Sequence, residues 1–320
     1  MLDLLIIGGG PIGIACGLKA QKAGLKFVII EKGCLVNSLF NYPSTMTFFS
    51  TSEKLEVGGV PFITNNIKPN RADALEYYRR VAISHNLPIN LFEEVTTVVK
   101  LENGDYAIIT SKGTYHTKRI IISTGFYDIA VNLDIHGENL PKVMHYYKDP
   151  HFYSMQKVIV VGSSNSAIDV ALETYRKGAE VTLVIRGNEI SDRVKYWVRP
   201  DIINRIKEGS IKAYFNSNLE TIREHEVDIK TPEGTITIPN DFVMAMTGYK
   251  PNFDLLKKWG LNLSEDKFIP QYNPDTMETN LHGVYLAGVV CGGMDTHLWF
   301  IENSRIHADM IMEDIVAKIS

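Results

Sequence analysis

Twice along this chain a four-residue apolar run stops at a turn of small residues, continues as a helix with apolar periodicity, and returns as a second apolar strand. The first copy is LLIIGGGPIGIACGLKAQKAGLKFVIIEK (4–32) and the second is VIVVGSSNSAIDVALETYRKGAEVTLVIRG (158–187). Each is a β-turn-α-β unit. Unbroken apolar strands alternating with helices predict parallel sheets covered on both faces, hence an α/β fold of two Rossmann-like domains. A length of 320 residues accommodates two domains. With 45% hydrophobic and 22% charged residues, the composition excludes disordered, collagen-like and coiled-coil chains.

In the first copy Gly8, Gly10 and Gly13 have the dinucleotide spacing directly after a strand. Gly8 permits the tight turn, Gly10 lets a pyrophosphate approach the backbone, and Gly13 lets helix and sheet pack closely. The helix N-terminus offers free N–H groups to the phosphates. Glu31 follows the next strand, where a carboxylate accepts from a ribose diol and repels a 2′-phosphate. The second copy departs from this pattern: Ser164 replaces the middle glycine and Ala167 the last. Its second strand leads to Arg186, a residue suited to a 2′-phosphate, and Arg193, Lys195 and Arg199 follow. One acidic and one basic site imply two cofactors, a tightly held FAD and an exchangeable NADPH. The NADPH domain (129–246) is expected to be inserted into an FAD domain made of 1–128 and 247–320. The strand LHGVYLAGV (281–289) then returns to the FAD domain and brings the last helix to the flavin, its N-terminus toward the N1/O2 edge.

Other elements are readable. Residues 73–86 predict a helix with Asp73 near its start. Asn103-Gly104 and Lys112-Gly113 predict hairpins within 91–122. Residues 119–124 read as a buried strand and 126–151 as loop. Residues 211–244 read as a second β-rich stretch turning at Pro232-Glu233-Gly234. The tail 298–319 reads as a helix with Ile301, Ile311, Ile315 and Ile319 on one stripe.

Several classes are disfavoured. A net charge of −4 argues against a nucleic-acid partner. No Lys or Arg precedes the apolar run 4–18, so strand-turn-helix is preferred to an export leader. No run reaches the ~18 uninterrupted apolar residues of a membrane span. The three cysteines, Cys16, Cys34 and Cys291, contain no C-x-x-C, which disfavours a disulfide scaffold and a zinc ribbon and suits a reducing, cytoplasmic setting. No metal-ligand spacing is present, so no metal is expected.

At GGGPIG (8–13), Glu31, Asn41-Tyr42-Pro43, Ser123-Thr124-Gly125, GSSNSA (162–167), Thr247-Gly248-Tyr249 and GVYLAG (283–288), the chain resembles the low-molecular-weight thioredoxin reductase-like flavoproteins over nearly its whole length. More narrowly it resembles the bacillithiol disulfide reductase group, through NYPSTMTFFSTSEKL (41–55), VPFI (60–63), LPKVMHYYK (140–148), NSAIDVALE (165–173), AMTGYKP (245–251) and FIEN followed by His307. The resemblance implies hydride transfer from NADPH to FAD and then to a low-molecular-weight disulfide. A small redox protein is the alternative acceptor, and a homo-oligomer is expected. The two domains are expected to rotate, because NADPH and the substrate need the same flavin in turn. It implies FAD contacts from Gly8, Gly10, Pro11, Gly13, Glu31, Lys32, Asn41, Thr47, Val95, Gly125, Gly288 and Val289. It implies NADPH contacts from Gly162, Ser164, Asn165, Ser166, Ala167, Arg186, Arg193, Lys195 and Gly248.

Three departures stand out. The C-x-x-C of thioredoxin reductases is missing; the matching stretch is HYYKDP (145–150). The usual Asp after Ala-Gly is Val289, as in the narrower group. The thiol that the group carries inside the glycine motif is Ile12 here.

Cys16, one turn further along the helix, is a weak thiol candidate: a helix N-terminus would lower its pKa, but cysteine is also a common buried small residue. Cys34 and Cys291 read more readily as packing residues. His145 and His297 are candidate proton donors, and His307 reads as structural. Met46, Phe48 and Phe49 cover the flavin or pack the core. Other readings stay open: a flavodoxin or ferredoxin–NADP reductase, a flavin monooxygenase (VMHYYKD is loosely similar to a segment of that family), or a redox sensor without turnover.

Overall fold

The computed structural model describes residues 1–319. The chain forms two compact units, one of residues 1–41, 45–129 and 249–320, the other of 42–44 and 130–248.

The first unit is built on a five-stranded parallel sheet in the order Val284–Leu286, Ile120–Ile122, Leu4–Ile7, Phe27–Ile30, Ile89–Asn90. Leu4, Leu5, Ile6 and Ile7 are all buried, as expected of a central strand covered on both faces. Burying each such side chain stabilises the fold by about 1.5–3 kcal/mol. The crossover helix Pro11–Lys22 begins with proline in its first turn, where no intrahelical N–H bond is lost. Register pairs Ile7 with both Ile30 and Ile122, and Ile122 with Leu286. The turns that follow these four strands therefore emerge side by side at one edge of the sheet, where α/β folds bind ligands.

An antiparallel meander, Val95–Lys100, Tyr106–Thr110 and Thr114–Thr117, turns at both predicted hairpins. The helix predicted at 73–86 spans Arg71–Ser84. Its cap is Asn70, whose side chain accepts from Asp73 N–H while Asp73 accepts from Asn70 N–H, a reciprocal box. The tail is two helices, Ile301–Ser304 and His307–Ile319. Ile311 and Ile315 are buried but Ile319 is exposed, so the expected stripe stops one turn early.

The second unit repeats the plan. Its parallel sheet runs Lys212–Tyr214, Glu180–Val184, Lys157–Val161, Phe242–Ala245, Val143–Met144. The helix Asn165–Arg176 buries Ala167, Ile168, Val170, Ala171 and Leu172 against the sheet. An antiparallel meander of Asn218–Ile222, Glu226–Thr231 and Gly234–Pro239 covers the other face, turning at the predicted Pro232-Glu233. The stretch 126–151 is not wholly loop: Val143–Met144 is the sheet's edge strand. Among the described residues no helix is long and apolar enough to cross a membrane, and no cluster could hold a metal ion.

Candidate nucleotide-binding sites

The first glycine turn is closed by steric necessity. Gly8 has φ +110°, and a Cβ there would lie 2.5 Å from the Ser123 carbonyl oxygen. A Cβ on Gly13 would fall 1.9 Å from the Gly8 carbonyl oxygen, whereas one on Gly10 would meet nothing within 4 Å. The turn is tight behind and open in front, which is the space a pyrophosphate needs at a helix N-terminus. Ser123 Oγ braces it with bonds to the carbonyls of Ile7 (3.0 Å) and Gly8 (3.1 Å).

Glu31 is buried beside this turn. Its Oε2 accepts from Gly9 N–H (2.7 Å) and its Oε1 from Gly33 N–H (2.8 Å). Burial raises the carboxyl above its ordinary pKa, and the two N–H donors partly counter that shift. Each oxygen keeps a further lone pair, so the residue can hold the turn and still accept from a diol. These residues fit FAD's nucleotide half.

The other predicted flavin contacts are dispersed. Gly125 and Gly288, at φ +71° and +86°, follow two neighbouring strands of the same sheet edge. Val289 opens the short 3₁₀ turn Val289–Gly292. Lys32 pairs with Asp128 at 2.7 Å. Asn41 points its amide at Asn37 O (2.9 Å). Thr47 bridges to Asn70, and Val95 is buried at the start of the meander. Phe48 is buried and Phe49 half-exposed.

The thiols do not behave as a low-pKa reading of Cys16 expects. Cys16 is fully buried and its pKa is pushed up to about 12, chiefly by burial, with the charge of Asp309 adding. The helix-terminus field is confined to the first turn, and Cys16 lies beyond it. Cys291 is also buried and shifted upward by burial. Cys34 is partly buried, shifted upward by burial and by Glu31, and its Sγ lies 3.6 Å from Asn37 Oδ1. All three are free thiols. At the group's thiol position, Ile12 packs its carbons against Gly288, where an added Cβ would lie 3.3–3.5 Å from them.

Three histidines have distinct settings. His307 Nδ1 accepts from Gly288 N–H at 3.2 Å and lies 3.9 Å from Cys291 Sγ. That bond fixes the proton on Nε2, and burial lowers the ring's pKa to about 4. His307 thus anchors the turn that carries Gly288, a role its sequence position did not reveal. His145 Nε2 lies 3.4 Å from Glu138, which itself accepts from Leu133 and Asp134 N–H (2.6 and 2.8 Å). His297 is exposed.

The second turn has the same backbone and a different rim. Gly162 has φ +130°, and a Cβ there would lie 2.7 Å from Met246 O. Ala167 is buried at the last glycine's place, while Ser164, the N-cap, and Ser166 are exposed. Gly248, at φ +101°, has open space around it. Arg186 and Arg193 are exposed, and neither guanidinium has a partner among the described residues.

Lys195 does not join them. Only 8% exposed, it is drawn down to Asp169, Nζ to Oδ2 at 2.6 Å. Arg199 pairs with Asp192 at 3.2 Å. Asn165, expected to touch NADPH, has both ends of its amide engaged by the loop carrying Arg193 and Lys195.

Residues 5–288 match the family described as pyridine nucleotide-disulphide oxidoreductases. The chain is 45% identical over 315 residues to a bacilliredoxin reductase of Bacillus subtilis, covering 98% of this chain and 97% of that protein. A bacillithiol disulfide reductase from Staphylococcus aureus superposes with a TM-score of 0.96 at 41% identity, covering 100% of this chain and 99% of the other. A ferredoxin–NADP reductase of Streptococcus pneumoniae is 29% identical over 91% of this chain and 86% of its own length.

Proposed function

The chain belongs to the pyridine nucleotide-disulphide oxidoreductase family, and from that premise we propose that it reduces bacillithiol disulfide with NADPH. The observation that carries this reading is the whole-length likeness to bacillithiol disulfide reductases. One NADPH and one proton convert one disulfide to two thiols. When bound, FAD supplies the two-electron relay between nicotinamide and disulfide.

The residues divide the work. Gly8, Gly10, Pro11 and Gly13 admit the flavin's pyrophosphate, and Glu31 takes the ribose diol. Gly125, Gly288 and Val289 carry the backbone along its length, with Lys32, Asn41, Thr47 and Val95 around them. His307 keeps the Gly288 turn in place through its unprotonated nitrogen. Gly162, Ser164, Ser166, Ala167 and Gly248 receive NADPH, and Arg186 and Arg193 take its 2′-phosphate. No thiol of this chain enters the electron path: Cys16 and Cys291 are buried, Cys34 is held beside Glu31, and Ile12 fills the group's thiol position. The disulfide therefore accepts its electrons directly. NADPH supply and three unpaired thiols fit a cytoplasmic setting.

A second reading has one observation in its favour. The Bacillus subtilis relative is named for a protein acceptor, bacilliredoxin. Anaerobic NADPH oxidation, followed with oxidised bacillithiol, a bacilliredoxin mixed disulfide, ferredoxin and flavodoxin in turn, tests both. Turnover with bacillithiol disulfide is expected. Turnover confined to ferredoxin or flavodoxin would overturn the disulfide reading, and turnover confined to the mixed disulfide would move it to the protein substrate.

A further inference from the structure

The glycine turn with its helix Asn165–Arg176 and the loop after the strand Glu180–Val184 are laced together at four points. Ser191 N–H donates to Ser163 O at 3.1 Å. Asn165 Nδ2 donates to Arg193 O at 2.9 Å. Lys195 N–H donates to Asn165 Oδ1 at 2.8 Å. Lys195 Nζ pairs with Asp169 Oδ2 at 2.6 Å. Residues 165 and 169 are one helical turn apart and share a face.

The arrangement separates neighbouring cations. Lys195 is pulled into the protein and its charge matched by Asp169. Arg193, two residues earlier, is held by its own carbonyl while its guanidinium stays exposed and unpaired among the described residues. A loop pinned by backbone groups on either side of residue 194 cannot swing Arg193 away without breaking two hydrogen bonds and exposing a partly buried ion pair.

We infer that Asn165 and Asp169 are positioning residues for nucleotide specificity. They preset the loop so that Arg193 joins Arg186 at the 2′-phosphate, lowering the ordering cost of binding that group. The inference rests on the reading of the second turn as an NADPH site. A merely structural clasp would affect phosphorylated and unphosphorylated nucleotides alike.

Calorimetric titration of the oxidised holoenzyme with NADP⁺ and NAD⁺ separates these cases. The parent is expected to prefer NADP⁺. Asn165→Ala should weaken NADP⁺ about tenfold, the scale of one charge-assisted contact, and NAD⁺ less than about twofold. Asn165→Asp keeps the acceptor for Lys195 N–H and loses the donor to Arg193 O, so it should fall between. Asp169→Asn keeps an acceptor for Lys195 without its charge and should show a smaller loss in the same direction. An unchanged NADP⁺/NAD⁺ ratio in Asn165→Ala, beside a parent that discriminates, would overturn the inference alone. A parent that binds both equally would break the NADPH reading, and the inference with it.

Discussion

The two glycine turns share a backbone and differ in what surrounds it. In the first, a helix packs so closely that no Cβ fits at residue 13; in the second, Ala167 occupies the same place. In the first, the acidic residue after the second strand is buried and bonded to the turn's own N–H groups. In the second, the basic residue is exposed and has no partner among the described residues. A buried, hydrogen-bonded rim suits a cofactor that stays, and a solvated rim with unpaired cations suits one that comes and goes. On the proposed reading, the scaffold gives both sites their phosphate end, and Glu31 and Arg186 give them their difference.

The largest effect should come from breaking the tight turn. Gly13→Ala places a methyl group 1.9 Å from the Gly8 carbonyl oxygen. The helix must shift, and the purified protein should lose its flavin, read as the ratio of flavin to protein absorbance. A fully yellow Gly13→Ala variant would contradict the packing argument.

The next effect is a pH dependence confined to the first unit. His307 is buried with its pKa lowered from 6.5 to about 4. The unfolded chain takes up a proton below pH 6.5 and the folded one does not. Stability is therefore whole above 6.5 and falls as the pH drops toward 4, by about 3 kcal/mol at most. Flavin release on heating, followed from pH 8 to 4, should show this slope, and His307→Asn should flatten it. An equal slope in the variant would assign the acid sensitivity elsewhere.

Arg186→Ala comes third. Loss of a charge-assisted contact should raise the KM for NADPH about tenfold or more and leave that for NADH nearly unchanged. Equal losses for both would mean that Arg186 does not read the 2′-phosphate. Ala167→Gly, the reverse of the first substitution, should be mildest. It removes one methyl group and costs about 0.5–1 kcal/mol of helix stability, with flavin content unaltered.

Much of this was legible in the sequence because it depends on neighbours along the chain. Strand, turn and helix follow one another within 4–32 and 158–187, and both hairpins announce themselves through an adjacent glycine. What was not legible depends on partners far away. The helix Arg71–Ser84 begins two residues before the predicted 73, because Asn70 caps it through a reciprocal box with Asp73. Val143–Met144 is a strand only because Phe242–Ala245 lies beside it. Lys195 reads as one more phosphate cation until Asp169, 26 residues earlier, is found beneath it. Cys16 is open between an activated thiol and a packing residue until its burial is known, because a helix that shelters a side chain raises the pKa that its terminus would lower.

In the proposed reaction, electrons reach the disulfide without passing through a thiol of this chain. A Cys16→Ala/Cys34→Ser/Cys291→Ala variant, reduced anaerobically with one equivalent of NADPH and mixed with oxidised bacillithiol, tests it at the oxidised-flavin band. The band should return at a rate within about twofold of the parent's. A variant that stays reduced while the parent reoxidises would contradict it and return a cysteine to the electron path.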